Sequence, residues 1–173
     1  DPERFKFGYL SRFPGYYFSG DGAIMDEDGY IFVTGRADDV INVAGHRLST
    51  AEMEEVVAAH KDVAECCVVG IDDELKGQVP FAIAVLKSGS KANQEELEQD
   101  IVALVREKIG AVACLKNAMV VNRLPKTRSG KILRKLIRTM LDGKEYQMPS
   151  TIDDESIVEE LQEMMNVYKR DKI

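Results

Sequence analysis

Two apolar runs joined by a short polar loop constrain the fold of this chain more than any other feature. Residues 63–71 and 79–86 are rich in Val, Ala and Ile, whereas residues 72–78 between them are mostly polar. Apolar runs of this length, bounded by polar turns, are typical of buried strands. We therefore predict that the two runs pair like a hairpin within a small sheet.

Helices and shorter strands are expected on either side of this pair. Capping boxes, in which a Ser or Asn precedes a Glu by three residues, mark the starts of two of the helices. The predicted helices cover residues 51–60, 93–109, 131–141 and 153–169. The remaining predicted strands cover residues 23–25, 30–33, 39–43 and 117–121. Because the order of strands and helices is mixed, we predict an α+β fold, a small β-sheet with packed helices.

Composition limits the partners of the chain. The 173 residues are 45% hydrophobic, which is enough for one core, and no apolar run approaches the ~18 residues of a membrane span. The net charge of −7 argues against general binding to nucleic acid or to anionic membranes. Cys66 and Cys67 are neighbours on a predicted strand and so point to opposite faces. We interpret them, and Cys114, as packed thiols of a reducing compartment.

A cationic loop is the strongest candidate for chemistry. Residues 125–131, Pro-Lys-Thr-Arg-Ser-Gly-Lys, hold three cations, two hydroxyls and one glycine. We place Lys131 at the start of the predicted helix, where free N–H groups and the helix dipole favour an anion. From the residues alone, Lys131 either binds an anion or belongs to a solvated basic face. A P-loop is excluded, because Pro125 and Ile132 stand where its first glycine and its Ser or Thr are required.

Four other polar residues are candidates for ligand or metal binding. For each of them the sequence alone does not decide between a binding role and a structural one. Asp21 lies between two glycines, and it either accepts hydrogen bonds from a ribose diol or is a turn residue. Arg36 stands near two acids and is either a bidentate hydrogen-bond donor to a ligand or half of a surface ion pair. Arg47 either binds a phosphate or follows an ordinary turn. His60 either favours a metal or cation at a helix end or is a simple helix-end histidine.

Taken together, these segments resemble the short-chain acyl-CoA synthetases, the acetyl- and propionyl-CoA synthetases of the adenylate-forming superfamily. The motifs are residues 17–21 (Tyr-Phe-Ser-Gly-Asp), residues 35–48 (Gly-Arg-Ala-Asp-Asp-Val-Ile-Asn-Val-Ala-Gly-His-Arg-Leu) and residues 125–131, in that order and spacing. The resemblance runs from about residue 14 to residue 146. Among the members, the chain looks most like the mitochondrial, propionate-preferring ones.

The resemblance implies a ligase that works in two half-reactions. A short-chain carboxylate, acetate or propionate, attacks ATP to give an acyl-adenylate and pyrophosphate. A C-terminal lid then rotates about a hinge, and the CoA thiolate attacks the adenylate and releases AMP. The implied cofactors are ATP, CoA and Mg, and the implied compartment is the mitochondrial matrix, with the cytoplasm as the alternative.

The resemblance also implies roles for individual residues. Lys131 would be the adenylation lysine, and acetylation by a lysine acetylase, reversed by a deacetylase, would remove its charge. The implied ATP- and AMP-binding residues are Asp21, Arg36 and Arg47. The implied CoA-binding residues are Ala44, Gly45, His46 and Arg106. Asp38 would be the hinge, and His60 would contribute to a metal site.

Three positions depart from the family pattern. Ala111 stands where proline is frequent, and Ala44 stands where many relatives have a serine that could contact CoA. Lys61 replaces a common proline after His60, and some relatives bind a metal at this turn through the histidine and nearby carbonyls. The metal site at His60 is therefore in question.

The domain organisation follows from the same resemblance. Residues 1–37 would be the distal edge of a large N-terminal AMP-binding domain, 38–146 the mobile lid, and 147–173 a linker and C-terminal helix. Nothing in the chain resembles the acyl pocket or the pyrophosphate loop of the large domain, so we expect the chain to be inactive alone. Two alternatives stay open: a ligase that acylates a carrier protein, and a non-catalytic module whose basic helix 131–141 docks an acidic partner.

Overall fold

The chain folds as two units, Asp1–Asp39 and a second unit that begins at Val40. The structure, a computed structural model, describes residues 1–171, apart from the side chains of Arg4, Thr34 and Asp38. The division between the units falls next to the predicted hinge, Asp38, whose side chain lies outside the described residues.

The first unit is built around a β-hairpin. Strands β1 (Asp21–Met25) and β2 (Ile31–Arg36) pair antiparallel, which confirms the strands predicted on either side of the turn. In that turn the Asp26 carboxylate accepts hydrogen bonds from the backbone N–H groups of Asp28 and Tyr30, at 3.1 and 2.8 Å. Before the hairpin lie a short helix, α1 (Pro2–Phe5), and a π-helical turn (Lys6–Leu10), and after it a 3-10 turn (Ala37–Asp39).

The second unit contains a mixed sheet. Its strands are β3 (Val40–Val43), β4 (His46–Ser49), β5 (Val63–Asp73), β6 (Gly77–Leu86) and β7 (Asn117–Val121). Its helices are α2 (Thr50–Ala58), α3 (Gln94–Lys108), α4 (Arg134–Leu141) and α5 (Ser156–Asp171). Within the described residues, the strand order is β4-β3-β6-β5, and β7 lies parallel to β6. Strands β5 and β6 pair antiparallel from Val63 and Leu86 to Asp73 and Gly77, so the predicted hairpin and the α+β class are confirmed.

The sheet is covered on both faces, and this explains the continuous apolar runs. Along β5, Cys66 and Val68 face a core that includes residues of α2 and α3. The alternate residues, Cys67 and Val69, face a second core that includes residues of α4 and α5. A strand buried on both faces needs apolar side chains at every position rather than at every second one. The expectation that the adjacent cysteines point in opposite directions is therefore confirmed.

Side-chain caps fix the starts of two helices. The Ser49 hydroxyl accepts a hydrogen bond from the Glu52 N–H at 3.4 Å, and α2 begins at the next residue. The Asn93 side chain accepts one from the Glu96 N–H at 2.9 Å, and α3 follows in the same way. Both predicted caps are confirmed. They could be predicted because a cap is a local interaction that a short sequence pattern can specify. Among residues 1–171, no helix is both long and apolar enough to cross a membrane.

The predicted start of the helix over 131–141 is wrong. Helix α4 begins at Arg134, three residues later. The Leu133 N–H donates to the Pro125 carbonyl at 2.9 Å, and Ile132 is bridged to Lys126, so these residues belong to a hairpin instead. Lys131 therefore does not stand at a helix N-terminus, and the argument from the helix dipole does not apply to it.

Helix α5 is part of the core of the second unit. Val158, Leu161 and Met165 are each about 1% exposed and pack against the side of the sheet that α4 covers. Its Tyr168 hydroxyl donates to the buried Glu98 carboxylate of α3, which also accepts from the Ala118 N–H at 3.1 Å. The C-terminal helix is thus attached to the sheet through both apolar packing and a buried polar contact.

We expect the three cysteines to differ in reactivity. Burial, with the nearby Glu54 and Glu65 carboxylates, raises the pKa of the Cys66 thiol to about 11, and Cys67 is fully buried. Cys114 is only half-buried. Because the thiolate is the reactive form, iodoacetamide at mildly alkaline pH should alkylate Cys114 first in the native chain. Mass spectrometry of native and unfolded samples checks this, and equal labelling of Cys66 and Cys114 in the native sample would contradict it.

Candidate functional site

Lys131 lies on a small hairpin, residues 126–132, between β7 and α4. The Thr127 N–H donates to the Lys131 carbonyl at 2.8 Å, and the Lys131 N–H donates back to the Thr127 hydroxyl at 3.1 Å. The Gly130 N–H closes the turn onto the Thr127 carbonyl at 2.8 Å, and Gly130 has a φ of +82°, which glycine adopts without strain. The backbone of Lys131 is therefore held on both sides while its side chain is exposed.

The basic residues of α4 are used differently from Lys131. Arg134 donates two hydrogen bonds to the Glu54 carboxylate of α2, at 2.7 and 3.1 Å. Arg138 lies 3.4 Å from Asp72 at the end of β5. These two cations attach α4 to its neighbours, so they do more than cover a solvated face.

Asp21 and Arg36 are brought together by the first hairpin. They are paired residues of β1 and β2, and their side chains lie 3.5 Å apart. The Arg36 guanidinium also donates to the Ser19 carbonyl at 2.8 Å. A side chain at Gly20 would come within 2.7 Å of Arg36, so glycine is required for this approach. The result is an exposed carboxylate beside an exposed guanidinium, which can together meet the hydroxyl groups of a sugar.

The predicted CoA-binding segment is a tight turn. Val43 pairs with His46, so Ala44 and Gly45 are the two central residues of a β-hairpin loop, with φ of +49° and +90°. Two positive φ angles in such a loop are typical of a type I′ turn. The Ala44 N–H donates to the Lys76 carbonyl at 2.8 Å, which ties the turn to the loop before β6.

Strand β4, which carries the candidate residues His46 and Arg47, is an element that the sequence interpretation missed. The sequence predicts a strand that ends near Gly45 and no strand after it, because alanine at the first central position is not a usual type I′ residue. The alternation in Val40–Val43 and the glycine at 45 were the available signals. As a result, His46 and Arg47 lie at the start of a strand, with exposed side chains. Arg47 belongs to the second unit, whereas Asp21 and Arg36 belong to the first.

The Lys131 hairpin and the Ala44–Gly45 turn lie at opposite ends of the sheet. Val43 pairs with Gly77 at the start of β6. Val121, the last residue of β7, pairs with Val85 near the end of β6, and the Lys131 hairpin follows β7. Eight residue steps of a strand span roughly 26 Å. The Lys126 ammonium lies 2.6 Å from the Glu65 carboxylate, and this ion pair keeps the hairpin at the Val85 end.

Arg106 lies toward the same end of the sheet as the Ala44–Gly45 turn. Helix α3 connects the end of β6 to the start of β7, and these two strands are parallel. The helix must therefore return the chain to the end at which β6 starts, and Arg106 is in its last turn. Its side chain is exposed to solvent.

Comparison with known proteins assigns the second unit to a family. Residues 52–131 match the AMP-binding enzyme C-terminal domain. The second unit contains an AMP-binding enzyme C-terminal domain. The matched segment ends at Lys131 and leaves out Asp21, Arg36 and Arg47 as well as α5.

The relatives of this AMP-binding enzyme C-terminal domain confirm the resemblance seen in its motifs. An uncharacterized protein of Pseudomonas aeruginosa is 55% identical over 98% of this chain and 27% of its own length. A mitochondrial acyl-CoA synthetase short-chain family member B of Dictyostelium discoideum is 47% identical over 98% of this chain and 25% of its own length. The chain thus spans about a quarter of the length of the curated relatives it matches.

The fold is shared with solved structures. An ATP-bound RpMatB-BxBclM chimera is 26% identical, with a TM-score of 0.69, and the match covers 82% of this chain and 27% of the chimera chain. The similarity includes most of the described chain, and the α+β architecture matches that of the C-terminal domain of adenylate-forming enzymes.

His60 has both ring nitrogens in contact with protein groups. Its Nδ1 accepts from the Asp62 N–H at 3.2 Å, and its Nε2 lies 3.4 Å from the Asp100 carboxylate. Among the described residues, no group of three or more His, Cys, Asp or Glu side chains could hold a metal ion. A metal at this turn would need backbone carbonyls as further ligands, and that site stays a prediction.

Replacing Thr127 by valine tests how the AMP-binding enzyme C-terminal domain holds Lys131. Valine has nearly the same shape, but it leaves the Lys131 N–H without its hydroxyl acceptor. We expect faster amide hydrogen exchange at Lys131, with the exchange of the β5 and β6 amides unchanged. Thr139→Val is a matched control, since the Thr139 hydroxyl only donates to the Lys135 carbonyl within α4. Unchanged exchange at Lys131 would show that the hydroxyl does not hold it.

Proposed function

We propose that the chain is the C-terminal part of a ligase that joins a short-chain carboxylate to CoA through an acyl-adenylate. The observation that carries this proposal is the position of the Lys131 hairpin and the Ala44–Gly45 turn at opposite ends of one sheet. A lid that serves two successive half-reactions needs two separate surfaces, each of which is turned toward the substrates in its own step.

Lys131 serves the first half-reaction. An oxygen of the substrate carboxylate attacks the α-phosphorus of ATP, and the bond to pyrophosphate breaks. Negative charge develops on the transferring phosphate during this step, and the Lys131 ammonium stabilises it. A preorganised cation of this kind contributes about 3–4 kcal/mol to the transition state. The hairpin supports this role, because its backbone is fixed by hydrogen bonds while the side chain remains exposed.

The other end of the sheet serves the second half-reaction. The CoA thiolate attacks the carbonyl carbon of the acyl-adenylate, and AMP leaves. Ala44, Gly45 and His46 would line the path of the pantetheine arm, since a tight turn with a glycine allows another chain to approach the backbone closely. Arg106 would bind a CoA phosphate. Asp38, at the junction of the two units, would be the hinge.

Asp21, Arg36 and Arg47 would bind the nucleotide. The paired carboxylate and guanidinium of Asp21 and Arg36 suit the ribose hydroxyls, and Arg47 suits the phosphate. ATP and CoA are therefore the proposed cofactors. Mg²⁺ is proposed as the counter-ion of the ATP phosphates, which it usually binds with few protein ligands.

The chain would act together with a large N-terminal domain. The proposed division is 1–37 as the edge of that domain, 38–146 as the lid, and 147–173 as a linker and helix. The apolar residues Ile24, Ile31 and Val33 of the first hairpin are each more than 60% exposed, which fits strands that a larger domain covers. The chain by itself would not turn over. The mitochondrial matrix is the proposed compartment by analogy with the Dictyostelium relative, although the Pseudomonas relative is bacterial.

Replacing Lys131 by alanine tests the divided roles in the longer enzyme that carries this chain. We expect loss of ATP–pyrophosphate exchange of at least about 100-fold, from the removed transition-state interaction. Thioester formation from supplied acyl-adenylate and CoA should stay near the normal rate. Lys135→Ala is the matched control, an exposed lysine on the adjacent helix that has no proposed role. An equal loss in both half-reactions would refute the divided role, and acetylation of Lys131 by a lysine acetylase should act like the substitution.

The second candidate is a ligase that acylates a carrier protein instead of free CoA. Arg106 separates the two, because a phosphate-binding arginine at this end of the sheet is useful for free CoA and not for a tethered arm. Replacing Arg106 by alanine should raise the KM for CoA roughly 10-fold or more, as expected for a lost charge-assisted contact, and leave ATP–pyrophosphate exchange intact. A KM for CoA equal to that of the unchanged enzyme would favour the carrier-protein ligase.

A non-catalytic docking module is less well supported. That function would need the basic face of α4 to be available to an acidic partner. Arg134 and Arg138 already pair with Glu54 and Asp72 of the same unit. The module also gives no role to the Asp21 and Arg36 pair.

A further inference from the structure

The Lys131 hairpin is bound on its outer side by a segment far along the chain. The Arg128 N–H donates to the Thr151 carbonyl at 3.1 Å, and the Asp153 N–H donates to the Lys126 carbonyl at 2.9 Å. Thr127 and Ile152 form a β-bridge between these two bonds. Residues 151–153 thus pair with the outer side of the hairpin through one β-bridge and two backbone hydrogen bonds.

Arg123, just before the hairpin, binds the residues that follow segment 151–153. It lies directly before Leu124 and Pro125, which lead into the hairpin and are buried. Its guanidinium donates to the Asp154 carboxylate at 2.9 Å and to Glu160 at 2.9 and 3.2 Å. One cation therefore holds two carboxylates that flank the start of α5.

The carboxylates have further partners that fix their positions. Asp154 accepts from the Ser156 hydroxyl and N–H at 2.7 and 2.9 Å, and the second oxygen of Glu160 accepts from the Asn122 side chain. Hydrogen bonds from Ser156 and Arg123 hold the pKa of Asp154 below its ordinary value, and those from Asn122 and Arg123 do the same for Glu160. Both groups are charged at neutral pH, and the arrangement weakens only as the pH falls through these lowered pKa values.

We propose that Arg123 is a positioning residue for adenylation, acting through residues 151–154 to hold the hairpin that carries Lys131. This inference rests on the proposed function, because it assumes that Lys131 acts in the first half-reaction. Asp154 and Glu160 lie outside the segment 52–131 that matches the family domain, so the contact joins that domain to a segment beyond it.

In this arrangement, the proposed positioning role of Arg123 is distinct from a contribution to the stability of the fold. Helix α5 is held to the sheet by the buried residues Val158, Leu161 and Met165. This apolar packing does not depend on the ion pairs of Arg123. Arg123 itself is 47% exposed, and exposed ion pairs contribute little to the stability of a folded chain. Ile152, which is 4% exposed in the same core, also keeps residues 151–153 in place. Removing the guanidinium should therefore leave the fold intact and only loosen the backbone hydrogen bonds between residues 151–153 and the hairpin. A catalytic group displaced by about 1 Å can lose as much as 100-fold in rate.

The first test uses the longer enzyme with Arg123→Ala, Arg123→Lys and the control Lys144→Ala. Lys144 is a matched control, since it also joins two carboxylates, Asp72 and Asp142, but at the other end of the sheet. With acetate and propionate as substrates, Arg123→Ala should lower ATP–pyrophosphate exchange by up to about 100-fold and spare thioester formation from supplied acyl-adenylate. Arg123→Lys keeps the positive charge but cannot donate to two carboxylates as the planar guanidinium does. Its rate of ATP–pyrophosphate exchange should lie between those of Arg123→Ala and the unchanged enzyme.

The second test does not depend on activity. In the 173-residue chain, Arg123→Ala should speed amide hydrogen exchange at Arg128 and Asp153, whose N–H groups form the bonds between the two segments. The amides of α5 and β6 should keep their protection.

The outcomes distinguish this inference from the proposed function. If Lys131→Ala leaves ATP–pyrophosphate exchange unchanged, the proposed function fails. If Lys131→Ala abolishes exchange while Arg123→Ala behaves like Lys144→Ala, only the role of Arg123 is overturned. Equal losses in both half-reactions, or unchanged amide exchange at Arg128 and Asp153, also overturn it.

Discussion

The pairing of β6 with three other strands is the constraint on which the second unit depends. Because β5 runs along one edge of β6 while β3 and β7 share the other, the loops that follow β3 and β7 must leave the sheet at opposite ends. Burial of β6 on both faces fixes this register, since a shift of one residue would exchange the side chains of the two cores. The separation of Lys131 from the Ala44–Gly45 turn is therefore a consequence of strand pairing.

The two ends of the sheet present the proposed functional residues by different means. At the Ala44–Gly45 end the backbone itself is the feature, a tight turn with two positive φ angles. At the other end a side chain is presented, and the hairpin has to be stiff for its ammonium to be well placed. That stiffness comes from bonds within the hairpin and from residues 151–153. A rigid turn suits the binding of the pantetheine arm of CoA. A lysine on a supported hairpin suits the stabilisation of the negative charge that would develop on the phosphate.

Local and periodic features could be predicted from the sequence, and contacts between distant residues could not. The caps at Ser49 and Asn93 and the opposite faces of Cys66 and Cys67 depend on neighbours within a few residues. The start of α4 was misplaced because Lys126 to Ile132 are drawn into a bridge instead of a helical turn. Arg123 was not singled out, because its partner Asp154 lies 31 residues further along the chain. The motif residues of the candidate site were found by resemblance, which carries information that single residues lack.

The distance between the two ends also limits how the two proposed half-reactions could share one active site. A span of roughly 26 Å along β6 is far longer than the reach of any side chain, so Lys131 and the turn cannot contact the same acyl group at the same time. The sheet is covered on both faces by helices, and a packed core does not bend enough to bring its ends together. If both ends contact the same acyl group, the second unit must therefore turn as one body between the steps. The two units divide between Asp39 and Val40, next to the proposed hinge at Asp38.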